Sequence, residues 1–241
     1  MYTVKTIQFS NKREARVLET LPTVSANDCI RYLQIPNYRF SIVLHVGALE
    51  MDPQTQKDMT LLLRESLVRF AEDNRALVAD GATDTGFVKI MGAAYESGRA
   101  TFPLVGVTVR HQMLYPDEPE QSDRWYLNDS HTHFVILDGD DFGLESQVLV
   151  GLARSSGNYG ISIVINGGQI TRAEIEMQAA LGTPVIVMKG TGRYADALAD
   201  AEPGSELRLP FEQNATMLEI FDVNRHTPEV LYHMIRRLLL R

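Results

Sequence analysis

Short runs of uniformly apolar, often β-branched residues alternate along most of the chain with longer stretches in which apolar positions recur every three or four residues. FSIVLHVG (40–47) is a strand-like run ending at glycine, and from Pro53 onward Met59, Leu62, Leu63, Leu67 and Phe70 fall at helical spacing. RALVAD (75–80) leads through GATDTG into a helix around Val88 to Tyr95, and PLVGVTV (103–109) is another buried-type strand. THFVILD (132–138) precedes a helix with Leu144, Val148, Leu149 and Leu152, ISIVI (161–165) one from Thr171, and PVIVM (184–188) one from Arg193. Strands that are apolar throughout, each followed by a helix, predict an α/β fold: a doubly wound, mainly parallel sheet with helices on both faces.

The ends break this rhythm. In residues 1–38, VKTIQF reads as a strand and CIRYLQI as a second, together an N-terminal extension that adds edge strands or a small cap. In residues 204–241, ELRLP and MLEIF read as strands. Thr227 and Pro228 then open a terminal helix with Val230, Leu231, Met234, Ile235 and Leu238 on one face and Arg236, Arg237 and Arg241 near its end. That face suits packing on the same domain or contact with another copy. The polar stretch from His111 to Asp129 reads as one long loop. Neither a repeat nor a linker separates these parts from a core at residues 39–203.

The 241 residues carry 23 Lys plus Arg against 31 Asp plus Glu, a net charge of −8, which opposes the broad phosphate-tracking surface that nucleic-acid binding needs. A single cysteine, Cys29, has no internal partner and fits a reducing compartment. The opening MYTVKTIQFSNKREAR lacks an apolar signal-type run and the apolar runs are strand-sized, so the expectation is a cytoplasmic protein with no membrane span.

In a parallel sheet the chemistry gathers at the carboxyl ends of the strands, where glycine turns expose amides and helix N-termini face an anion. Four such turns occur here: VGALE (46–50, with Gly47), DGATDTG (80–86), NGGQITRAE (166–174) and KGTGRYAD (189–196). Lys189 and Arg193 add local positive charge, and together the turns describe a phosphate or pyrophosphate cradle. GTGRYA (190–195) also satisfies GxGxxA, with Glu212 about twenty residues on, but it closes the last strand–helix unit of the six where a dinucleotide fingerprint opens the first. GxxxxGK[ST], GxSxG and HExxH do not occur.

No cofactor or metal is expected. His131 and His133 lie two apart but lack a third ligand, and Asp138, Asp140 and Asp141 in LDGDDFG suit an ordinary turn. Glu174 carries two readings: a catalytic carboxylate beside the glycines, or, with Thr171, a T-x-x-E capping box at a helix start.

HTHFVILDGDDFGLESQVL, INGGQITRAEIEMQAALGTPVIVMKGTGRYADALA and LVADGATDTGFVKIMGAA, in their order and spacing, resemble the LSDAT group of the SLOG superfamily over roughly residues 40–201. That group includes the cytosolic N-terminal region of melastatin-type TRP channels and prokaryotic stand-alone relatives; the superfamily also holds the Lonely Guy phosphoribohydrolases and the DNA-processing protein DprA. The resemblance implies a Rossmann-like core over 39–203 that binds a nucleotide-derived ligand such as ADP-ribose. Its ligand positions map here onto Gly81, Thr85 and Gly86, onto Gly167, Gly168 and Thr171, and onto Gly190, Gly192, Arg193 and Asp196, with Thr191 in place of serine. Lonely Guy enzymes carry PGGxGTxxE where this chain has NGGQITRAE: threonine and glutamate are kept, but the proline is Asn166 and the later glycine Ile170, which crowds the loop and argues against hydrolysis of a glycosidic bond.

Two readings of function follow. One is a sensor or regulatory domain that binds a nucleotide-derived small molecule and passes its occupancy to a homo-oligomer or an effector protein. The other is a nucleotide N-glycosidase in which Glu174 assists departure of a base. A single-strand nucleic-acid binder ranks below both, for the chain is acidic and has one tryptophan, Trp125.

Overall fold

All six apolar runs form strands, and their uniform hydrophobicity is explained by the helices that cover both faces of the sheet they build. The computed structural model describes residues 2–47 and 51–240, so Ala48–Glu50 of the VGALE turn lie outside the described residues, as does Arg241 of the terminal helix. The strands in chain order are β1 (Tyr2–Gln8), β2 (Glu14–Thr20), β3 (Phe40–Val46), β4 (Ala76–Asp80), β5 (Leu104–Val109), β6 (Met113–Leu114), β7 (Trp125–Tyr126), β8 (His133–Leu137), β9 (Tyr159–Ile165), β10 (Val185–Lys189) and β11 (Leu218–Asp222). The helices are α1 (Ala26–Leu33), α2 (Pro53–Leu63), α3 (Arg69–Asn74), α4 (Gly86–Ser97), α5 (Ser146–Leu152), α6 (Gln169–Ala180), α7 (Arg193–Ala199), α8 (Leu209–Gln213) and α9 (Pro228–Leu239). A π-helical stretch, Arg64–Val68, joins α2 to α3.

Nine strands form one sheet in the order β1-β2-β8-β5-β4-β3-β9-β10-β11, parallel except for the β1–β2 hairpin. This is the Rossmann-like α/β arrangement. From β3 the chain winds outward through β4, β5 and β8, then returns to β9 on the other side of β3 and winds outward through β10 and β11. The reversal between β3 and β9, paired from Phe40↔Tyr159 to Val46↔Ile165, is a topological switch point, where the crevice of such folds opens at the carboxyl ends of the strands. One apolar layer, containing Ile42, Phe70, Phe87 and Ile163, lies under α2–α4 and α9, and another, containing Val43, Leu77, Val107 and Leu149, lies under α1 and α5.

The structure differs from the sequence reading in three places, two of them at the ends. CIRYLQI is not a strand: Ser25 caps α1 by accepting the Asp28 amide, and Cys29, Ile30 and Leu33 share one buried helical face. The second N-terminal strand is EARVLET instead, whose charged residues alternate with buried Ala15 and Val17 and which pairs with β8. ELRLP is not a strand either; Pro210 sits in the first turn of α8, where its missing N–H is harmless. The stretch from His111 to Asp129 is more than a loop, since β6 and β7 pair within it and Leu127 bridges to Thr83. The terminal helix buries Leu231, Met234, Ile235 and Leu238 in the same core layer as Phe70. Among the described residues no helix is long and apolar enough to cross a membrane.

Because the Ser25 side chain satisfies an otherwise open amide, Ser25→Ala is expected to lower unfolding free energy by about 1 kcal/mol in urea titrations. An unchanged denaturation midpoint means the cap contributes nothing.

Candidate functional site

Where β3, β4 and β9 end together, their turns surround a cleft of about 450 Å³. Gly47 closes β3, Gly81, Thr83 and Thr85 follow β4, and Gly168, Gln169, Ile170 and Thr171 begin α6. Both helices that start here do so without a side-chain cap: Thr85 before α4 and Gly168 before α6 make no capping hydrogen bond. The first amides of a helix have no intrahelical acceptor, so each start presents unsatisfied donors and the positive end of a helix dipole.

Arg193 supplies the full positive charge. Its backbone is left-handed (φ 52), and its guanidinium lies against Gly168, where a β-carbon would stand 2.8 Å from one terminal nitrogen. It forms no ion pair among the described residues. The rest of the KGTGRYAD turn faces its neighbours. The amides of Tyr194 and Ala195 donate to the carbonyls of Gly167 and Asn166, at 3.3 and 2.9 Å, so the start of α7 is already satisfied. Asp196 accepts the Gly190 amide at 2.6 Å, and Lys189 pairs with Asp200. Thr191 accepts the Asn166 amide at 2.8 Å and its carbonyl takes the Asn166 side-chain N–H at 2.7 Å, while Gly192 borders that same side chain. Gly190 and Thr191 border a separate hollow of about 480 Å³ with Val223 and Asn224.

The structure therefore brings Gly47, Gly81, Thr85, Gly168, Thr171, Glu174 and Arg193 to one cleft. Asn166, Gly167 and Gly86 shape the turns beneath it, and Lys189, Gly190, Thr191, Gly192 and Asp196 lie in or behind the adjoining turn. Glu212, the acid about twenty residues beyond GTGRYA, lies on α8 and accepts the Gly204 amide instead.

Thr171 and Glu174 do not form a capping box. Gly168 is the N-cap, which puts both residues inside the helix. Glu174 is buried with both oxygens engaged: Oε1 accepts from the Ser146 hydroxyl at 2.8 Å, and Oε2 from His45 Nδ1 at 2.9 Å. The Gln178 side-chain nitrogen, a donor, lies 3.4 Å from His45 Nε2, which also meets the Ser162 hydroxyl at 3.2 Å. This arrangement suits an imidazole that donates from Nδ1 to the carboxylate and accepts at Nε2.

Glu145, at the start of α5, also lines the cleft and accepts the Gly143 amide at 2.8 Å. Burial, reinforced by the nearby Glu174 charge, pushes its carboxyl up to about 7. Phe142 and Ile170 make the facing wall apolar. His45, Glu145 and Phe142 were not among the candidates from sequence. For His45 a signal existed, as an imidazole inside an otherwise apolar, doubly covered strand needs a buried partner.

The paired histidines serve separate ends. His131 is buried between Asp80, at 2.8 Å, and Asn128, at 3.2 Å. His133 meets Thr132 and is driven down to about 4 by burial, with Arg16 adding to the effect. Asp140 pairs with His111. Among the described residues no group of three or more His, Cys, Asp or Glu side chains is arranged to hold a metal.

The family model described as "SLOG in TRPM, prokaryote" matches residues 40–231, from the first strand of the switch point into the terminal helix. The chain belongs to this family. Similar curated proteins include the transient receptor potential cation channel subfamily M member 2 of Rattus norvegicus, 25% identical over 194 residues (63% of this chain, 13% of that protein). The Mus musculus protein of the same name is 24% identical over 221 residues, covering 75% of the chain and 14% of the channel. The subfamily M member-like 2 protein of Nematostella vectensis is 21% identical over 235 residues, 81% and 15% respectively. This SLOG domain thus spans about one seventh of the length of those relatives.

Glu145 makes the stability of the SLOG domain depend on pH in a definite direction. A carboxyl raised to about 7 from an ordinary 4.5 favours the folded state fully below pH 4.5, and that advantage is lost as pH rises through 7. Glu145→Gln is expected to flatten this slope and to exceed the wild type at pH 8 by on the order of 3 kcal/mol. Parallel pH dependences from pH 5 to 8 in chemical denaturation count against the assignment.

Proposed function

We propose that the domain binds a nucleotide-derived ligand of the ADP-ribose kind in the switch-point cleft and acts as a sensor or regulatory module. One observation carries the reading: two uncapped helix starts and an unpaired arginine converge on one cleft whose facing wall is apolar. Helix starts and a guanidinium recognise a phosphate or diphosphate, and the apolar wall suits the remainder of a nucleotide. The names of the relatives support the reading in one further respect, as they are channels whose matched segment is a small part of the whole. Such a segment suits regulation by occupancy. Homo-oligomer formation, or contact with an effector protein, is the corresponding proposal for how occupancy is read out.

A second reading, cleavage of the N-glycosidic bond, is favoured by Glu145, whose carboxyl near 7 is poised to donate a proton beside Glu174. Glu174 itself is held on both oxygens by protein groups. The binding reading therefore comes first, with no release of base expected from ADP-ribose or nucleoside monophosphates over hours by chromatography. Base release that disappears in Glu174→Gln reverses that order.

At a hundredfold excess over its dissociation constant, a bound nucleotide stabilises the fold by about 2.7 kcal/mol, a rise in melting temperature of roughly 5 to 10 °C, whereas plain ribose leaves it unchanged. Arg193→Ala is expected to weaken the nucleotide by about 1.5–3 kcal/mol while leaving the melting temperature of the free protein within about 2 °C. A panel of phosphate-bearing nucleotides that all fail to shift the melting of the folded wild type removes the proposal.

A further inference from the structure

The excursion between β5 and β8 ends at the rim of the cleft, and its aromatic tip has no role in the core. Trp125 on β7 is 40% exposed, although a tryptophan is costly to leave in water. Its ring centre lies 5.6 Å from that of Phe142, which lines the cleft. The backbone around it is fixed to the β4–α4 turn: Asp84 donates its amide to the Tyr126 carbonyl at 2.8 Å, Leu127 bridges to Thr83, and Asn128 donates to the Ala82 carbonyl at 2.9 Å. Thr83 is itself a cleft residue. The excursion is also braced from within, since the Tyr126 hydroxyl donates to the Glu118 carbonyl at 3.0 Å and Arg110 pairs with Glu118 at 2.6 Å. Trp125 is therefore a pre-positioned ring on the same lip as Phe142 and the exposed Ile170, with Arg193 among the other groups of the cleft.

We propose that Trp125 and Phe142 form the stacking platform for the heteroaromatic base of the ligand, so that this lip selects base-bearing nucleotides over bare sugar phosphates. The inference rests on the binding reading above and adds to it the part of the ligand that the phosphate-binding groups cannot see. A base has a π-face and an apolar body, and it gains most from an aromatic surface already held in place, where little side-chain freedom is lost on binding. Ile170, where a glycine would leave the lip bare, extends the apolar surface along the same edge.

The chain has a single tryptophan, so emission excited at the red edge, where its nine tyrosines do not absorb, reports Trp125 alone. Titrating the full chain with ADP-ribose is expected to quench that emission, and ribose 5-phosphate, which has no base, is expected to bind with little change in it. Trp125→Leu, which keeps an apolar contact with Phe142 but loses the π-face, should weaken ADP-ribose about 5- to 150-fold by calorimetry and leave ribose 5-phosphate within twofold. Trp125→Phe should restore ADP-ribose binding to within a few-fold of the wild type. If Trp125→Leu binds ADP-ribose as the wild type does, or weakens both ligands equally, the platform is wrong while the binding reading stands. Should the wild type bind neither compound, the binding reading fails and takes the platform with it.

Discussion

A β-carbon on Gly47 would stand 2.3 Å from the side-chain oxygen of Asn166 and 2.7 Å from the Gly167 amide nitrogen, and this close approach is what the geometry of the cleft depends on. β3 and β9 lie side by side where the winding of the sheet reverses, and their turns must pass each other at the carboxyl edge before either can reach its helix. Only a residue without a side chain lets β3 end there. Asn166 answers from the other side in the left-handed conformation (φ 59), followed by Gly167 (φ 84), so that β9 bends sharply into α6. Asn166 then clasps Thr191, the carbonyls of Asn166 and Gly167 accept the first amides of α7, and this lashing of two turns positions Arg193 against Gly168.

Behind the turns lies a polar cluster that apolar packing alone would not require. Glu174 on α6 reaches His45 on β3 and Ser146 on α5, while Gln178, one turn along α6, reaches His45 and the Val150 carbonyl. A hydrogen bond is directional, so this cluster fixes the rotation of α6 and α5 about their own axes more tightly than aliphatic contacts do. Removing one partner would leave the other buried and unpaired, a larger loss than the bond itself contributes. The glutamate of NGGQITRAE therefore has a structural duty independent of any chemistry, whereas Glu145 accepts from backbone amides of its own loop, at Gly143 and at Glu145 itself.

β3, β4, β5, β8, β9 and β10 were legible because a sheet covered on both faces demands unbroken apolar runs, and few other structures produce them. The edges were not. β2 intersperses Glu14, Arg16 and Glu19 with buried Ala15, Val17 and Leu18, so its apolar signal is broken by charge and easily passed over beside the more apolar CIRYLQI. In CIRYLQI the apolar residues Cys29, Ile30 and Leu33 sit at helical spacing, and the decisive residue, Ser25, lies before the run. In the site, glycine turns could be recognised from the sequence, but which turns share one space could not. Lys189 and Arg193 are four residues apart and equally basic; only the left-handed turn at Arg193 and the neighbouring Asp200 send one toward the cleft and the other into an ion pair. Glu145 and Phe142 come from the β8–α5 connection, whose LDGDDFG reads from the sequence as an ordinary turn, and they reach the cleft because α5 packs against α6 across the end of β3.

The floor and the rim of the cleft are built on different physical terms. The floor consists of doubly buried strands and turns laced together by hydrogen bonds, an arrangement that leaves little freedom for a ligand to alter. The rim carries exposed apolar side chains, Trp125, Leu144 and Ile170, whose surface remains in water until something covers it. On the binding reading, the ionic and amide contacts at the floor fix where a phosphate sits, and burial at the rim contributes the apolar part of the affinity, with a negative heat-capacity change as its mark. A ligand can bias a regulatory equilibrium only through groups whose environment differs between the two states. The excursion is hydrogen-bonded to residues 82–84 and meets the rim where Trp125 packs on Phe142, so on the binding reading the lip is where an occupant changes what the domain exposes.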